Sequence, residues 1–170
     1  MIPGAYTPGI FNTVYCYLKY KSLVSPRAEV DVSKLLFMGE GTTISSFCQL
    51  KARHGELRLG RKVGLGVGCS LSPGEKGLTI GDNCLFGPYV LVVSSNYRYD
   101  RLDIPLAEQG STSKGIEIGE NVWIGSGSVI LDGATLGNNV IVGAGSVVSG
   151  QFDDNLIIQG NPAKVVFRRR

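Results

Sequence analysis

The sequence predicts an all-β solenoid, in which short strands wind into a stack of coils, and three features of a six-residue repeat carry this prediction. A large apolar residue opens each hexapeptide, glycine follows it, and a small or β-branched residue occupies the fifth position. The second position is glycine in eight of nine blocks, the exception being Leu131. The first positions are Leu59, Leu65, Ile80, Phe86, Ile118, Ile124, Ile130, Leu136 and Val142; the fifth positions are Val63, Cys69, Cys84, Val90, Val122, Ser128, Ala134, Val140 and Ser146.

This period does not fit an amphipathic helix, whose apolar residues recur every three or four positions. Side chains alternate along a strand, so the first and fifth positions of a block point to the same face. Glycine at the second position is expected to permit a tight turn near each corner. Three blocks then form one triangular coil of about eighteen residues, and each coil is stabilised mainly by its neighbours.

Fainter repeats extend the solenoid towards the N-terminus. Met38 and Ile44 keep the pattern, and Val24 and Val30 extend it further. The solenoid is therefore predicted over residues 24–152, as about seven coils.

Three of the four cysteines (Cys48, Cys69 and Cys84) fall at the fifth position, where a small apolar residue is needed. A free cysteine packs as a small hydrophobe, so we interpret these residues as core. Together with Cys16 they show no CxxC spacing and predict neither a zinc site nor a disulfide framework.

Two insertions interrupt the repeat. Leu59 and Ile80 are 21 residues apart, so the turn SPGEKG between them is longer than a regular corner. Ile80 and Ile118 are 38 residues apart, which leaves an inserted loop over residues 96–115. Loops of this length inside a compact domain are usually functional.

Both ends of the solenoid need caps, because an uncovered coil exposes unpaired backbone groups. In the N-terminal segment, 1–23, Ile10, Val14 and Leu18 have helical spacing and predict a short capping helix. Contact with a membrane surface or with a glycosyltransferase is an alternative role for this segment. Residues 153–170 are expected to fold back as the C-terminal cap.

Composition narrows the possible functions. The net charge is +3 and only 18% of the residues are charged, without the basic stripe of a nucleic-acid-binding protein, so no nucleic acid partner is expected. No apolar stretch is long enough to cross a bilayer. The N-terminus lacks the pattern of an export signal, which makes a cytoplasmic location the expectation.

Several motifs together resemble the hexapeptide-repeat acyltransferases. They are the hexapeptides, the loop ending P-x-x-x-Q-G, the run IGENVWIGSGSVILDGATLGNNVIVGAGSVVSG and the ending IQGNPAKVVFRRR, within residues 24–168. The chain is most similar to the branch of maltose, galactoside, xenobiotic and surface-polysaccharide O-acetyltransferases. The resemblance implies a left-handed parallel β-helix and a homotrimer, with acetyl-CoA bound in a groove between neighbouring prisms. It further implies transfer of the acetyl group to a sugar hydroxyl, or an amine, in surface-polysaccharide synthesis.

In the family the inserted loop carries a histidine eight residues before the proline of P-x-x-x-Q-G, and that histidine is the general base. Counting back from Pro105 places Tyr97 there, with Asn96 and Asp100 matching the flanking motif. An unperturbed phenol has a pKa near 10 and is a far poorer base than imidazole at neutral pH. The one histidine of the chain is His54, outside the loop.

Four interpretations of this substitution stay open. Tyr97 acts as a base assisted by Arg98 or Arg101. Another group replaces it, for which the candidates are Asp100, Asp103, Glu108 and His54. The enzyme transfers acetyl groups with little base assistance. Finally, the chain binds CoA or a sugar without efficient transfer.

For the donor, the resemblance implies that pantetheine follows a coil edge and that the nucleotide lies near the C-terminus. The residues implied are Trp123, Gly125, Ser126, Gly143 and Ala144 for pantetheine, and Ser149, Lys164 and Arg168 for the nucleotide. Acetyl-CoA is the expected co-substrate. A single histidine does not supply a three-histidine zinc site, and no metal is expected.

Overall fold

The computed structural model describes residues 9–170, in which three parallel sheets form the faces of a triangular prism. Sheet A contains β1 (Leu23–Val24), β4 (Thr43–Ile44), β7 (Gly64–Leu65), β10 (Leu85–Phe86), β15 (Trp123–Ile124), β18 (Ile141–Val142) and β21 (Leu156–Gly160). Sheet B contains β2 (Glu29–Val30), β5 (Gln49–Leu50), β8 (Ser70–Ser72), β11 (Leu91–Val93), β16 (Val129–Leu131) and β19 (Val147–Val148). Sheet C contains β3 (Leu36–Met38), β6 (Leu57–Leu59), β9 (Leu78–Ile80), β14 (Ile116–Ile118), β17 (Thr135–Leu136) and β20 (Gln151–Phe152).

Each coil passes from sheet A to sheet B to sheet C, and equivalent strands of successive coils pair in register. Six complete coils are followed by β21, which pairs in parallel with β18. The parallel pairing of β21 involves Ile157 and Ile158, which lie after residue 152. Strand β22 (Ala163–Arg168) then pairs antiparallel with β21 and ends the stack.

The core is the apolar interior of the prism, and it confirms the predicted alternation. All nine first positions of the hexapeptides and all nine fifth positions are buried. Cys48, Cys69 and Cys84 are fully buried free thiols at the fifth position. Burial raises the pKa of the Cys84 thiol to about 11, so this group stays protonated and packs as an apolar side chain.

The structure corrects the explanation of the second-position glycines. The left-handed backbone falls on the fourth position of every block, where φ lies between +54° and +82°. The second-position glycine is needed for close approach of the next coil. A Cβ on Gly81 would lie 2.7 Å from the backbone of Gly119, and one on Gly125 would lie 2.5 Å from the backbone nitrogen of Ala144.

The corner between sheets B and C differs from the other two. In sheet B the residue at the second position is never glycine. The six residues there are Asp31, Lys51, Ser72, Val93, Leu131 and Ser149, so Leu131 is not an exception within its own sheet. The eighteen-residue coil holds from Ile124 to Val142, whereas Ile44, Leu65 and Phe86 follow one another at intervals of 21. The extra residues lie at this wide B–C corner, which also carries the inserted loop.

The N-terminal end of the prism is covered by helix α1 (Gly9–Tyr20). Its buried side chains include Asn12 and Cys16, which face the first coil. Within residues 9–170 no helix is long and apolar enough to span a bilayer.

Candidate active site

The inserted loop is a β-hairpin that leaves the B–C corner of the fourth coil. Strands β12 (Asn96–Tyr97) and β13 (Ser111–Thr112) pair antiparallel, and a short 3-10 helix spans Leu106–Glu108. The hairpin root is anchored on the coil below. The buried hydroxyl of Ser94 accepts from the N–H of Gly74 at 2.8 Å and donates to the carbonyl of Gly77 at 3.1 Å. The long SPGEKG turn is therefore the platform beneath the hairpin.

Asp132 anchors the hairpin from the coil above. Its Oδ1 accepts from the backbone N–H of Lys114 at 2.8 Å and of Gly115 at 3.1 Å. The side-chain amide of Asn96 lies 3.5 Å from Asp132 Oδ2. These contacts hold both strands of the hairpin at the root.

Gln109, the glutamine of P-x-x-x-Q-G, organises the hairpin tip. Its Oε1 accepts from the N–H of Arg101 at 3.1 Å, and its Nε2 donates to the carbonyls of Arg101 at 2.7 Å and Ile104 at 3.3 Å. Arg101 also forms an ion pair with Asp103. Hydrogen bonds from Arg101 lower the pKa of Asp103, which makes this carboxylate a weaker base.

The hairpin directs its aromatic and apolar side chains into solvent. The Tyr97 side chain is 67% exposed, and its phenol makes no hydrogen bond within the described part of the chain. Tyr99 and Asp100 are also exposed, and Leu102 at the tip has no cover at all.

A second group of candidate residues lies at the corner between sheets A and B. Gly125 and Ser126 follow β15, and Gly143 and Ala144 follow β18 one coil above them. Trp123 lies beside them on the outer face of sheet A and is 54% exposed. These five residues therefore form one continuous strip, which we call the glycine corner.

Two buried serines orient a peptide group of the glycine corner. The hydroxyls of Ser128 and Ser146 donate to the carbonyl of Gly143 at 3.1 and 2.6 Å. Because the C=O and N–H of a trans peptide point in opposite directions, the N–H of Ala144 faces outward. That N–H makes no hydrogen bond within residues 9–170, so the corner presents an outward donor.

The three residues assigned to the nucleotide do not lie together. Lys164 pairs with Gln159 on β21, at the end of the glycine corner. Arg168 is at the other end of β22, opposite Leu156, where it approaches Asp153 at 3.9 Å. Ser149 follows β19 and lies at the B–C corner. The structure thus joins Lys164 to the glycine corner and separates Arg168 and Ser149 from it.

The hairpin and the glycine corner occupy different corners of one prism. Sheet B separates them, and the six residue steps from Ser126 to Asp132 span roughly 15–20 Å at the rise of an extended chain. Tyr97, at the hairpin root, is therefore separated from the glycine corner of its own chain by the width of sheet B.

Two further features lie near the hairpin root. His54 belongs to the B–C corner of the second coil, two coils below the hairpin, and is exposed. On sheet C a cleft of about 360 Å³ opens beside the root, lined by Lys76, Thr79, Lys114, Glu117, Thr135 and Gln151 among others. Within residues 9–170 no three histidine, cysteine or acidic side chains are grouped closely enough to hold a metal ion.

Comparison with known proteins identifies the family. Residues 115–150 match the bacterial transferase hexapeptide family, described as six repeats. A putative acetyltransferase of Dictyostelium discoideum is 38% identical over 142 residues, which cover 80% of this chain and 70% of that protein. The chain belongs to the hexapeptide-repeat transferase family. Its prism is accordingly a left-handed parallel β-helix, as the resemblance implied.

Other similar proteins differ in length or are distant in sequence. A probable acetyltransferase of Mycobacterium tuberculosis is 31% identical over 143 residues, covering 84% of this chain but only 45% of that protein. The chain thus spans less than half the length of this mycobacterial relative. A variant of AntD, an N-acyltransferase from Bacillus cereus solved with dTDP and coenzyme A, has a TM-score of 0.80 at 22% identity. That alignment covers 92% of this chain and 88% of AntD and shows the shared fold.

Sequence reasoning missed the residues that support the site. Ser94, Asp132, Ser128 and Ser146 act through hydrogen bonds to backbone groups, and the sequence motifs do not indicate this role. Two signals in the sequence could have indicated them: a polar residue at a position that the repeat predicts to be buried, and a polar residue in the coil that follows an insertion. Ser128 and Ser146 are serines at a buried position, and Asp132 lies in the coil directly after the long loop.

Proposed function

We propose that this chain is a CoA-dependent acyltransferase that moves an acetyl group from acetyl-CoA to a sugar, with each active site shared between two subunits of a homotrimer. The observation that carries the proposal is the separation of the exposed hairpin from the glycine corner on one prism. The hairpin of one subunit would reach the glycine corner of the next. Neither feature has an evident use on an isolated prism.

The chemistry requires a base, a bound thioester and a donor for the oxyanion. The base removes a proton from the acceptor hydroxyl or amine as its oxygen or nitrogen attacks the thioester carbon. The outward N–H of Ala144 is positioned to stabilise negative charge on the carbonyl oxygen. Collapse of the tetrahedral intermediate breaks the C–S bond, and the CoA thiolate takes the proton back from the base.

On the hairpin we assign Tyr97 to the position of the base, with Asn96 holding the hairpin root and Asp100 beside the acceptor. Pantetheine would follow Trp123 and the glycine corner towards Lys164, whose ammonium can meet a phosphate. Ser149 and Arg168 would contact the nucleotide only if it reached beyond this corner. Glycine at positions 125 and 143 lets the ligand approach the backbone closely.

Assembly into a homotrimer is supported by apolar side chains on the outside of the prism. On sheet A, Leu85, Trp123, Ile141 and Ile157 stack in register along one outward ladder. On sheet B, Leu91, Val93 and Leu131 also point outward. Such ladders and the uncovered Leu102 are the surfaces that a subunit interface would bury.

The acceptor class is proposed as a sugar hydroxyl or amine, in the synthesis of a surface polysaccharide. It rests on the family resemblance and on the structure of an AntD variant solved with dTDP-4-amino-4,6-dideoxyglucose and coenzyme A. AntD is an N-acyltransferase, so an amino sugar belongs in the acceptor panel beside neutral sugars. The polar cleft on sheet C, next to the hairpin root, is a candidate for sugar contacts.

The test is release of free thiol from acetyl-CoA with a panel of sugars, amino sugars and nucleotide sugars. Tyr97→Phe tests the hairpin, Ala144→Arg blocks the glycine corner, and Val32→Arg is the control at an exposed position of the first coil. Acceptor-dependent turnover that Ala144→Arg abolishes and Val32→Arg leaves intact supports the proposal. Turnover that survives Ala144→Arg would place the thioester elsewhere.

A second candidate function is binding without efficient transfer. It is favoured by the Tyr97 phenol, which has no hydrogen-bond partner within the described residues. Calorimetric titration with CoA distinguishes the two. Binding that Ala144→Arg removes, in a protein that releases no thiol with any acceptor, supports this second function.

A further inference from the structure

Helix α1 has its polar and apolar sides reversed relative to an ordinary surface helix. Asn12, Thr13 and Tyr20 face the solenoid, and each side chain donates to a carbonyl of the first coil. The acceptors are Val30 on sheet B at 3.3 Å, Val24 on sheet A at 2.8 Å and Leu36 on sheet C at 2.7 Å. One carbonyl on the exposed edge of each sheet is thereby satisfied, which explains why the inner side of the helix is polar.

The outer side of the helix is apolar as a consequence. Phe11 is 65% exposed and Leu18 is 75% exposed, and Ile10, Val14 and Tyr17 lie on the same side. At about 100° per residue, these five side chains span an arc of roughly 120°. We call this surface the outer face of α1. A continuous apolar surface of this kind on a soluble domain marks a site of interaction.

Three cations and one acidic residue, Glu40, lie near the outer face. Lys19, Lys21 and Arg27 lie on or directly after the helix, and the first acidic residue of the chain is Glu29. The Lys19 ammonium contacts the Tyr15 hydroxyl at 3.0 Å, and Lys21 lies 3.9 Å from Glu40. An apolar helix face bordered by lysine and arginine has the composition of an interfacial helix on an anionic membrane.

We propose that the outer face of α1 docks this end of the prism on the surface of an anionic lipid bilayer. Phe11 and Leu18 would enter the boundary between headgroups and acyl chains, and the cations would lie among anionic headgroups. In the homotrimer proposed above, cyclic symmetry would place three such helices on the same end of the assembly. Three weak contacts would then act together, which strengthens binding without any new contact.

The experiment is co-sedimentation of the full chain with two kinds of vesicle, phosphatidylcholine alone and phosphatidylcholine with about one third phosphatidylglycerol. The double variant Phe11→Ser with Leu18→Ser removes the apolar anchors. The matched control is Val166→Ser with Phe167→Ser, two side chains of similar exposure, 64% and 56%, at the opposite end of the prism. Circular dichroism and thermal melting check the fold of each variant, and light scattering gives its mass.

We expect binding to the anionic vesicles that weakens between about 0.1 and 0.5 M salt, because exposed charges are screened. The helix variant should lose about tenfold or more of this binding, and the control variant should keep it. Absence of binding by the parent chain, or equal loss in both variants, overturns the proposal. A helix variant whose assembly has half the parent's mass shows that a second copy covers the face, which also overturns it.

A conservative variant keeps the test valid if the double serine variant does not fold. Leu18→Trp in a Trp123→Phe background places the only tryptophan on the outer face. Its emission should shift to the blue with anionic vesicles and not with phosphatidylcholine alone. An unchanged spectrum with both vesicles contradicts membrane docking, whatever the outcome of the transferase assay.

Discussion

Asp132 holds Lys114 in place, since the carboxylate Oδ1 accepts from the Lys114 backbone N–H at 2.8 Å. The same oxygen accepts from Gly115, so one side chain fixes the strand by which the hairpin returns to the solenoid. Asp132→Ala should loosen the hairpin while the buried core around it stays intact. We expect faster tryptic cleavage after Arg98 and Arg101 and lower turnover.

The cost of Asp132→Ala in global stability should be only about 1.5–3 kcal/mol, the range for hydrogen bonds to a charged group. Asp153→Ala is the control, because its carboxylate is exposed and lies 3.9 Å from Arg168. Equal cleavage of the parent and the Asp132 variant would show that the hairpin does not depend on this anchor.

Tyr97→His should introduce the general base that the family resemblance implies at this position. A positioned general base contributes about 10²- to 10⁴-fold, so thiol release should rise by up to that factor. The pH profile of the variant should rise through about pH 6.5, the ordinary pKa of imidazole. Tyr97→Phe is the control for the loss of the phenol.

Other assignments of the base give different outcomes in the same assay. If the parent is already fast and Tyr97→Phe leaves it so, the base is elsewhere, and His54→Ala and Asp100→Asn identify it. A histidine variant with the same low rate as the parent would contradict the role assigned to this position.

The close approach between coils can be tested with two glycines. Gly81→Ala puts a Cβ 2.7 Å from the backbone of Gly119, and it should destabilise the solenoid by several kcal/mol. Gly127→Asn occupies a fourth position with φ of +68° and open space around the Cβ, and should cost less than about 1 kcal/mol. Denaturant unfolding gives both values, and the reverse order would contradict the structural explanation.

Acid stability should depend on Asp82. The backbone N–H of Arg61 and its guanidinium both donate to this carboxylate and lower its pKa. A depressed pKa gives stability that is complete above the pKa of the unfolded state and is lost as the pH falls through the folded pKa. The loss therefore lies below about pH 4.

Asp82→Asn should accordingly lower the melting temperature at pH 7 by a few degrees and reduce its fall between pH 5 and pH 3. The effect is small because the ion pair is partly exposed to solvent. Asp153→Asn is the control. An unchanged pH dependence in the Asp82 variant would mean that the carboxylate does not contribute.

The repeat predicted the solenoid because its apolar spacing reports burial directly. Leu59 and Cys69 are buried where the pattern placed them, and the same holds for every aligned first and fifth position. The function of Gly81 was not predictable from the same pattern. A glycine serves either a turn or a close approach, and only the position of the neighbouring coil decides between them.

The candidate site was predictable only in part. The length of the insertion and its motif located Tyr97 and the hairpin. The contact of Asp132 with the hairpin depends on which residue of the next coil lies beside the hairpin root. Predicting it requires the strand register between Val93 and Leu131, which are 38 residues apart because of the insertion. The polar inner side of α1 was also missed, since helical periodicity shows which residues share a face but not which face turns inward.

The shared active site is tested most directly by mixing two inactive variants. One variant carries a short linker in place of the hairpin, and the other carries Ala144→Arg at the glycine corner. Both are made in the parent protein if it is active, and otherwise in the Tyr97→His protein. After the two are unfolded together and refolded, random assembly leaves an intact hairpin facing an intact corner at about one quarter of the interfaces. Activity should return to about that fraction of the unmodified protein's activity. No recovery from a mixture that forms trimers of normal mass would contradict a site shared between subunits.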